Sequence, residues 1–334
     1  MSNGSDRLLS AAVIGCGAFG RNHARVYHEL EKTGEPMRLA AVVDPNTSRV
    51  EALAREFNCP GYPSVDALLS SARIEAASVA VPTVHHAAVA SQLIEAGVDV
   101  LIEKPLTPTL AEADELIRLA SGKNRIAQVG HLERFNPAVQ ATLPVITKPM
   151  FFEVHRLSVF TPRSLDVDVV LDLMIHDLDA VLALVQSPVK EIRAAGLPVL
   201  SNKVDIANAR IEFESGCVAN FTASRVSTER VRKLRFFQPR QYISIDYGRQ
   251  DVLIFTVGDA AGTPSPNADI KMSKPSITPE EPLRAEIRAF LDSVRTRKAP
   301  LVGLEDGRRA LAIALEVLAQ ISAHADKLGL AGPR

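Results

Sequence analysis

The sequence predicts an α/β domain with a parallel sheet covered on both faces, followed by an α+β domain with a mixed, largely antiparallel open sheet. The chain has 334 residues, which suits two domains of about 100–200 residues each. Apolar runs alternate with helical patterns in the first part, whereas strand-like runs follow one another directly in the second. A glycine-rich turn joins the first apolar run to the first helical pattern. We therefore expect domains at residues 1–130 and 131–334.

The first domain is predicted from short apolar runs that have the length of strands. These runs lie at 8–14, 39–43, 76–81, 98–102 and 125–129. Helical patterns separate most of them, at 19–32, 47–57, 84–96 and 109–120. Continuous apolar strands that alternate with helices are typical of a parallel sheet between two helical layers.

The second domain begins after Asn136-Pro137, with helices expected at 138–146 and 169–185. Strand-like runs then lie at 205–213, 217–225, 231–237, 242–246 and 252–257. A hairpin turn is expected at 214–216, a long surface loop at 258–282 and two final helices at 283–297 and 305–327. In one strand, Val218, Asn220, Thr222 and Ser224 alternate with Ala219, Phe221 and Ala223, which predicts two distinct sheet faces.

Composition excludes several classes of protein. Lys and Arg total 38 against 39 Asp and Glu, a net charge of −1, which argues against a nucleic-acid partner. The three cysteines lie far apart and suit neither a zinc site nor a disulfide framework, so we expect no metal and a reducing, cytoplasmic setting. No run approaches the roughly 18 apolar residues of a membrane helix, so we expect no membrane association.

The glycine-rich turn is Gly15-Cys16-Gly17-Ala18-Phe19-Gly20, a G-x-G-x-x-G motif between a strand and a helix. In a Rossmann fold such glycines permit a tight turn, the close approach of a pyrophosphate and close helix packing. Asp44 ends the second strand, where a carboxylate binds the adenosine ribose and favours NAD, although Arg49 nearby weakens this preference. The alternative is a structural turn with a helix-capping Asp. The cofactor-binding residues predicted here are Gly15, Gly17, Ala18, Phe19, Gly20, Asp44 and Arg49.

Three further residues are candidates for catalysis. Lys104 follows the strand at 98–102, at the edge where open α/β sheets bind ligands, and Pro105 after it is a candidate cis proline. Asp172 and His176 lie four residues apart on one predicted helix, where a His beside a carboxylate can accept a hydroxyl proton. The alternatives are a surface charge pair at Lys104 and an ordinary core histidine at 176.

Several motifs together resemble the glucose–fructose oxidoreductase/inositol dehydrogenase (Gfo/Idh/MocA) family of NAD(P)-dependent sugar and polyol dehydrogenases. Besides the glycine motif they are, in chain order, His23, Val81-Pro82 with His86, Glu103-Lys104-Pro105, Arg134-Phe135-Asn136-Pro137, Asp172, His176 and Asp179. The resemblance implies that Lys104, Asp172 and His176 are catalytic. It adds Pro82, His86, Glu103 and Lys104 to the cofactor-binding set. It also implies that Lys104, Arg134, Asn136, Asp172 and His176 contact the substrate.

The stretches 130–139 and 170–177 resemble the nucleotide-sugar branch of that family. Its members include enzymes that oxidise the 3-hydroxyl of UDP-N-acetylglucosamine to a ketone for a partner aminotransferase, which in some bacteria supplies lipid A synthesis. The family often has a Gly-Gly pair before the catalytic Asp, whereas the stretch before Asp172 here is Asp168-Val169-Val170-Leu171, a departure from the common inositol and glucose branches. Two alternatives are a dehydrogenase of a free sugar or polyol, and a non-catalytic NAD-sensing regulator. The presence of Lys104, Asp172 and His176 together argues against the regulator.

Arginines gathered in the second half are candidates for binding a diphosphate, because guanidinium groups pair well with phosphate oxygens. Arg156 and Arg163, ahead of the helix with His176, are the preferred pair. A second cluster is Arg225, Arg230, Arg232, Lys233 and Arg235. The alternative for this cluster is a solvated or intersubunit sheet face with acidic partners such as Glu229.

The expected mechanism has His176 as general base, oriented by Asp172, with Lys104 hydrogen-bonded to the reacting oxygen. The sequence leaves open whether His176 or Lys104 is the formal base. The open sheet face and the family resemblance imply a homodimer or homotetramer, without choosing between them.

Overall fold

The computed structural model describes residues 8–161, 167–258 and 270–327. The chain divides into two compact units, one formed by residues 1–132 and 281–309 and the other by residues 133–280 and 310–334. The first change of unit lies two residues beyond the expected boundary at 130. The expected single division missed the return of residues 281–309 to the first unit.

The first unit contains a parallel sheet with strand order β3-β2-β1-β4-β5-β6. Its strands are β1 (Leu9–Ile14), β2 (Met37–Val43), β3 (Gly61–Tyr62), β4 (Ala76–Val79), β5 (Asp99–Ile102) and β6 (Ala127–Val129). Its helices up to this point are α1 (Ala18–Lys32), α2 (Thr47–Phe57), α3 (Val65–Ser71), α4 (His86–Glu95) and α5 (Leu110–Gly122). The expected parallel α/β architecture is therefore confirmed. The short elements β3 and α3 were missed because they contain too few residues to show a period.

The second unit contains a sheet with strand order β14-β13-β12-β11-β7-β10-β9-β8. Its strands are β7 (Phe151–Val159), β8 (Val189–Leu197), β9 (Ile206–Phe213), β10 (Val218–Ser227), β11 (Val231–Gln238), β12 (Gln241–Asp246), β13 (Asp251–Val257) and β14 (Ile270–Ser273). Only β7 and β10 pair in parallel among these strands, so the expected mixed, largely antiparallel sheet is confirmed. The sequence did not predict β7, β8 or β14.

Two helical segments of the second unit differ from their expected bounds. Helix α6 (Pro137–Thr142) ends early and continues as a 3₁₀ turn at Leu143–Val145. The expected helix at 169–185 is a π-helical turn at Val170–Met174 followed by α7 (Ile175–Val185). The segment 258–282, which was expected to be a loop, contains β14. Residues 259–269 of this segment lie outside the described residues.

Two helices end the described chain, α8 (Pro282–Thr296) and α9 (Leu304–Lys327). Five apolar side chains of α8 join the core of the first unit; they are Leu283, Ile287, Phe290, Leu291 and Val294. Burial of this apolar stripe explains why the segment belongs to the first unit despite its position in the sequence.

The two faces of the second sheet differ as the alternation predicts. Ala219, Phe221 and Ala223 are buried in the core, whereas Val218, Asn220 and Thr222 are partly exposed. Ser224 is an exception, because it is buried with the apolar set. On the other face, ring contacts of 5.0–5.8 Å between centroids join a row of four aromatic side chains, Phe151, Phe237, Tyr242 and Phe255. No helix within the described ranges is long and apolar enough to cross a membrane.

Candidate functional site

The glycine loop lies between β1 and α1, and its three motif glycines have different surroundings. Gly15 has a φ of +101°, and a Cβ there would lie 2.5 Å from the Ala80 carbonyl oxygen. A Cβ at Gly20 would overlap the Gly15 carbonyl oxygen. A Cβ at Gly17 would have no atom within 4 Å. Gly15 and Gly20 are therefore required by packing, and Gly17 leaves open space beside the first turn of α1, where a phosphate can approach backbone amides.

Asp44 follows β2 and hydrogen-bonds to the glycine loop. Its Oδ2 accepts the Cys16 amide at 2.7 Å, and its Oδ1 accepts the Asn46 amide at 2.9 Å. Asn46, and not Asp44, caps α2 by accepting the Arg49 amide at 3.1 Å. The structure thus excludes the helix-capping alternative for Asp44. Each of its oxygens retains a lone pair for a ribose hydroxyl.

The two residues between the motif glycines, and the proline of the β4 loop, are accessible. Ala18 and Phe19 begin α1 with exposed side chains, and Pro82 is exposed after β4. The Arg49 side chain is exposed on the first turn of α2. These four residues, with Gly17 and Asp44, can contact a dinucleotide that lies along the glycine loop.

The Lys104–Pro105 peptide bond is cis, as expected, and lies just after β5. The Lys104 side chain is partly buried in this turn. His86 lies against the same turn, with Nδ1 2.9 Å from the Pro105 carbonyl oxygen and Nε2 2.9 Å from the Val81 carbonyl oxygen. Burial lowers the pKa of His86 despite these backbone hydrogen bonds. His86 therefore connects two loops through their backbones, and its expected role in cofactor binding stays a prediction.

Glu103 is also buried, and its partners differ from the expected ones. Its Oε1 lies 2.8 Å from His23 Nε2, and its Oε2 accepts the Lys104 amide at 3.3 Å. Burial alone would raise the pKa of Glu103, but the hydrogen bond and charge of His23, together with Lys104, lower it. Both oxygens of the buried carboxylate thus have protein partners, and the cofactor contact expected for Glu103 stays a prediction.

In the second unit, Asp172 and His176 lie on consecutive turns of one helical segment. Asp172 is partly exposed on the π-helical turn, and His176 is 8% exposed on the first turn of α7. π-helical turns within helices are frequent at functional sites, because they change which side chains share a face. The segment therefore holds a partly exposed aspartate and a buried imidazole close in sequence.

Arg134 and Asp179 lie near each other within this unit. Arg134 Nη1 is 3.6 Å from Asp179 Oδ1, and the Arg134 side chain is 14% exposed. The arginine is thus directed by a buried carboxylate but is not fully enclosed. It remains a candidate for substrate contact.

Arg156 was expected to bind a diphosphate, but the structure encloses it in a buried ion network. Its Nε and Nη2 donate to the two Asp177 oxygens at 2.7 and 2.8 Å, and its Nη1 donates to Glu133 at 3.0 Å. The guanidinium also lies 5.3 Å from the centre of the Tyr247 ring. Burial alone would lower the pKa of Arg156, but the two carboxylates raise it well above its ordinary value. With a side chain 4% exposed, Arg156 stabilises the fold rather than a phosphate.

Asn136, which was expected to contact the substrate, belongs to the same network, and its substrate contact stays a prediction. Its Nδ2 donates to Glu133 and to the Tyr247 carbonyl oxygen, each at 3.1 Å. Its Oδ1 accepts the Ala138 amide at 3.0 Å and caps α6. All these groups are buried, so Asn136 serves the local fold.

The remaining arginines divide between buried and surface positions. Arg225 is buried, with Nε 3.1 Å from Asp205, and Arg235 Nη1 lies 3.8 Å from Glu153. Acidic partners therefore exist for these two, as the sheet-face alternative requires, although they are not Glu229. Arg163 lies outside the described residues, so its expected role stays a prediction.

The residues that sequence reasoning missed are mostly partners of the candidate residues. They are Ser78, which is hydrogen-bonded to His23, and Tyr27, which is hydrogen-bonded to Ser78, together with Glu133, Asp177 and Tyr247 around Arg156. The adjacency of Glu133 to the Arg134-Phe135-Asn136-Pro137 motif and of Asp177 to His176 was the available signal.

Two family models match the chain, one for the oxidoreductase family with an NAD-binding Rossmann fold at residues 9–131, and one for a Gfo/Idh/MocA C-terminal domain at residues 150–243. A UDP-N-acetylglucosamine 3-dehydrogenase from Acidithiobacillus ferrooxidans is 38% identical, over 94% of this chain and 98% of the relative. A solved structure of that enzyme has a TM-score of 0.87 at 36% identity, covering 95% of this chain and 98% of the other.

More distant relatives have other substrates in their names. A scyllo-inositol 2-dehydrogenase (NAD⁺) from Bacillus subtilis is 29% identical over 66% of this chain and 69% of the relative. An oxidoreductase from Agrobacterium radiobacter shares the fold alone, with a TM-score of 0.82 at 17% identity over 95% of this chain and 97% of that one. The expected family resemblance is confirmed, and with it an oxidoreductase that uses a nicotinamide dinucleotide. The chain belongs to the Gfo/Idh/MocA family of oxidoreductases.

Proposed function

We propose that this chain oxidises the 3-hydroxyl of UDP-N-acetylglucosamine to a ketone. The observation that carries the proposal is the similarity to the Acidithiobacillus ferrooxidans enzyme along nearly the whole of both chains, at 38% identity. The inositol dehydrogenase from Bacillus subtilis matches over 66% of this chain at 29% identity. A nucleotide sugar is therefore favoured over a free polyol.

NAD is the proposed cofactor, in preference to NADP. Asp44 supports this choice, because its carboxylate can accept ribose hydroxyls and would repel a 2′-phosphate. It is held next to the glycine loop by the Cys16 amide. The exposed Arg49 lies nearby and could pair with the 2′-phosphate of NADP. The proposed preference for NAD therefore depends on the fixed position of the Asp44 carboxylate.

The proposed catalytic residues are His176, Asp172 and Lys104. His176 accepts the proton of the sugar hydroxyl on a ring nitrogen, and the Asp172 carboxylate favours the resulting imidazolium. Lys104 donates a hydrogen bond to the reacting oxygen and stabilises the negative charge that develops there. When bound, the nicotinamide ring supplies the hydride acceptor.

The diphosphate of the substrate requires a cation beside it. Among the arginines that the structure describes, we propose Arg134, whose side chain is 14% exposed and lies 3.6 Å from Asp179. Arg163 stays a second candidate from the sequence. Arg156 is no longer proposed, because its donors already meet two buried carboxylates.

We further propose that the protein is a homodimer or homotetramer that associates through the exposed face of the second sheet. The aromatic row of Phe151, Phe237, Tyr242 and Phe255 supports this, because rings side by side on a strand surface provide a large apolar contact for a second copy. The ketone product is a substrate for amination, so an aminotransferase is the proposed downstream partner. We place the protein in the cytoplasm, where its three buried cysteines stay reduced.

The function is tested by incubating the purified protein with NAD⁺ and one of three substrates: UDP-N-acetylglucosamine, free N-acetylglucosamine or inositol. Single-turnover absorbance of the reduced nicotinamide detects product even where it stays bound. We expect NAD⁺ to be reduced with UDP-N-acetylglucosamine and not with the other two substrates. Turnover confined to the free sugar or inositol would refute the substrate proposal, and binding without turnover of any sugar would favour a sensor.

A further inference from the structure

The first unit contains a continuous hydrogen-bonded chain of buried polar side chains next to the Lys104–Pro105 turn. Tyr27 Oη lies 3.0 Å from Ser78 Oγ, which lies 3.0 Å from His23 Nδ1. The opposite ring nitrogen, His23 Nε2, lies 2.8 Å from Glu103 Oε1. Tyr27 and His23 belong to α1, the helix that begins at the glycine loop. This series of hydrogen bonds therefore joins α1 to Glu103, the residue that precedes Lys104.

The hydrogen bonds around Glu103 have a self-consistent arrangement. Glu103 is ionised at neutral pH because its pKa is lowered, so both of its oxygens accept. His23 then donates from Nε2 to Glu103, and its Nδ1 shares a hydrogen bond with the Ser78 hydroxyl, which is also hydrogen-bonded to the Tyr27 hydroxyl. The second Glu103 oxygen accepts the Lys104 amide at 3.3 Å. A single carboxylate thus holds the helix with one oxygen and the Lys104 backbone with the other.

The space around Glu103 is closely matched to this arrangement. His23 is 0% exposed and Glu103 6%. A Cβ at Gly130 would lie 3.0 Å from Glu103 Oε1, tighter than ordinary van der Waals contact. Any side chain at position 130 would therefore press on the carboxyl group. Neither displacement of Glu103 nor a change in its hydrogen-bonding pattern can occur without moving its neighbours.

We propose that Glu103 is a positioning residue for Lys104. Its buried carboxylate, held by His23, fixes the backbone of the Lys104–Pro105 turn and so determines where the Lys104 ammonium group lies. The inference rests on the proposed role of Lys104 in oxidising the sugar. Second-layer groups of this kind usually matter through orientation, and their loss costs about 10–100-fold in activity or affinity at metal sites. Glu103 itself touches neither substrate nor cofactor in this account.

Glu103→Gln is the principal test, because it keeps the shape and removes the second acceptor. The amide has one oxygen and one NH₂ group, so it places a donor against either His23 Nε2–H or the Lys104 amide. We expect kcat to fall about 10–100-fold, while the Kd for NAD⁺ changes by less than about threefold. The deuterium isotope effect with substrate labelled at the oxidised carbon should rise, since the chemical step becomes slower.

A second variant and a control keep the test decisive if Glu103→Gln folds poorly. Gly130→Ala retains every charge and only displaces the carboxyl group, so it should cause a smaller loss of kcat in the same direction. The exposed Glu115 on α5 provides the matched control, Glu115→Gln, which should leave kcat and exchange unchanged. A lower melting temperature with unchanged kcat in both test variants would overturn the proposal and leave Glu103 with a structural role only.

A readout without substrate separates this inference from the proposed function. Amide hydrogen exchange of the peptide covering residues 103–107 should become faster in Glu103→Gln and Gly130→Ala than in the wild type. Wild-type protein that oxidises none of the tested sugars would refute the proposed function, while the exchange data still test whether Glu103 holds the turn. Unchanged exchange in both variants would refute the positioning role whatever the substrate.

Discussion

Each unit of the chain has a buried carboxylate directly beside a proposed catalytic residue in the sequence. Glu103 precedes Lys104 in a turn, and Asp177 follows His176 on α7. Consecutive helical residues point about 100° apart, so the Asp177 bonds with Arg156 can form without involving His176. In the turn, Glu103 accepts the amide of Lys104 itself. Adjacency to a catalytic residue therefore implies positioning in the first unit and fold stability in the second.

The largest expected effect belongs to the proposed catalytic residues themselves. Lys104→Ala or His176→Asn should lower kcat by about 10²–10⁴-fold, the usual contribution of a proton-transferring or charge-stabilising side chain. NAD⁺ affinity, measured by titration calorimetry, should remain close to that of the wild type. Near-normal turnover in either variant would remove that residue from the proposed catalytic set. The carboxylate beside it, Glu103 or Asp177, would then no longer neighbour a catalytic residue.

The Arg156 network should respond in stability rather than in catalysis. Arg156→Met strands the Asp177 and Glu133 carboxylates in the interior, so the free energy of unfolding should fall by about 3–5 kcal/mol in urea titrations. Arg156→Met/Asp177→Leu removes one of those carboxylates and should recover part of the loss. Arg235→Met is the control, because its half-exposed pair with Glu153 should contribute less than about 1 kcal/mol.

The same variants decide whether Arg156 has any role with the substrate. KM for UDP-N-acetylglucosamine should be unchanged in the folded fraction of Arg156→Met. A large rise in KM with unaltered unfolding free energy would return Arg156 to the diphosphate site and contradict the contrast between the two units.

Asp44 tests whether a third carboxylate acts directly on the cofactor. Asp44→Asn keeps an oxygen for one backbone amide but loses the charge that should repel a 2′-phosphate. NAD⁺ affinity should fall by about tenfold, the value of one hydrogen bond to a charged group, and the preference over NADP⁺ should narrow. Titration with both cofactors measures this, and an unchanged ratio of the two Kd values would refute the role of Asp44 in cofactor choice.

The sequence predictions were accurate for features that neighbouring residues determine, and less accurate for features that depend on contacts between residues far apart in the sequence. The glycine loop and five of the six strands of the first sheet are local patterns, and these strands were predicted to within two residues of their observed bounds. Strand β7 was missed because Arg156 occupies a core-facing position and breaks the apolar alternation. Its partner Asp177 lies 21 residues away. An arginine that binds a phosphate and one that pairs with a buried carboxylate have the same sequence signal, so only tertiary contacts separate them.

The expected roles of His86 and Glu103 show the same limit. Their motifs correctly marked a place beside Lys104, because motif positions record proximity in the fold. Whether such a side chain faces a ligand or another protein group depends on neighbours from other elements, such as the Pro105 carbonyl for His86 and His23 of α1 for Glu103. The docking of α8 in the first unit is likewise a long-range contact that local periodicity does not encode.

Asp205 is a buried carboxylate that has no proposed catalytic residue beside it in the sequence. Its Oδ2 accepts the amides of Val199, Leu200 and Ser201 at 2.6–2.8 Å. Burial alone would raise the pKa of Asp205, but the Ser201 hydroxyl and these amides lower it to about 2. Because the folded pKa lies below the unfolded value, Asp205 stabilises the fold above about pH 4 and loses this contribution as the pH falls toward 2.

Asp205→Asn should therefore lower the free energy of unfolding by about 2 kcal/mol at neutral pH, since hydrogen bonds to a charged group are lost. The difference from the wild type, measured by urea titration at several pH values, should shrink below about pH 4. Activity should follow stability alone, in contrast to Glu103→Gln. If the difference in unfolding free energy between Asp205→Asn and the wild type stays constant with pH, the three amides do not need the ionised carboxylate. Asp205 would then differ from Glu103, which is proposed to hold its backbone segment as an ionised group.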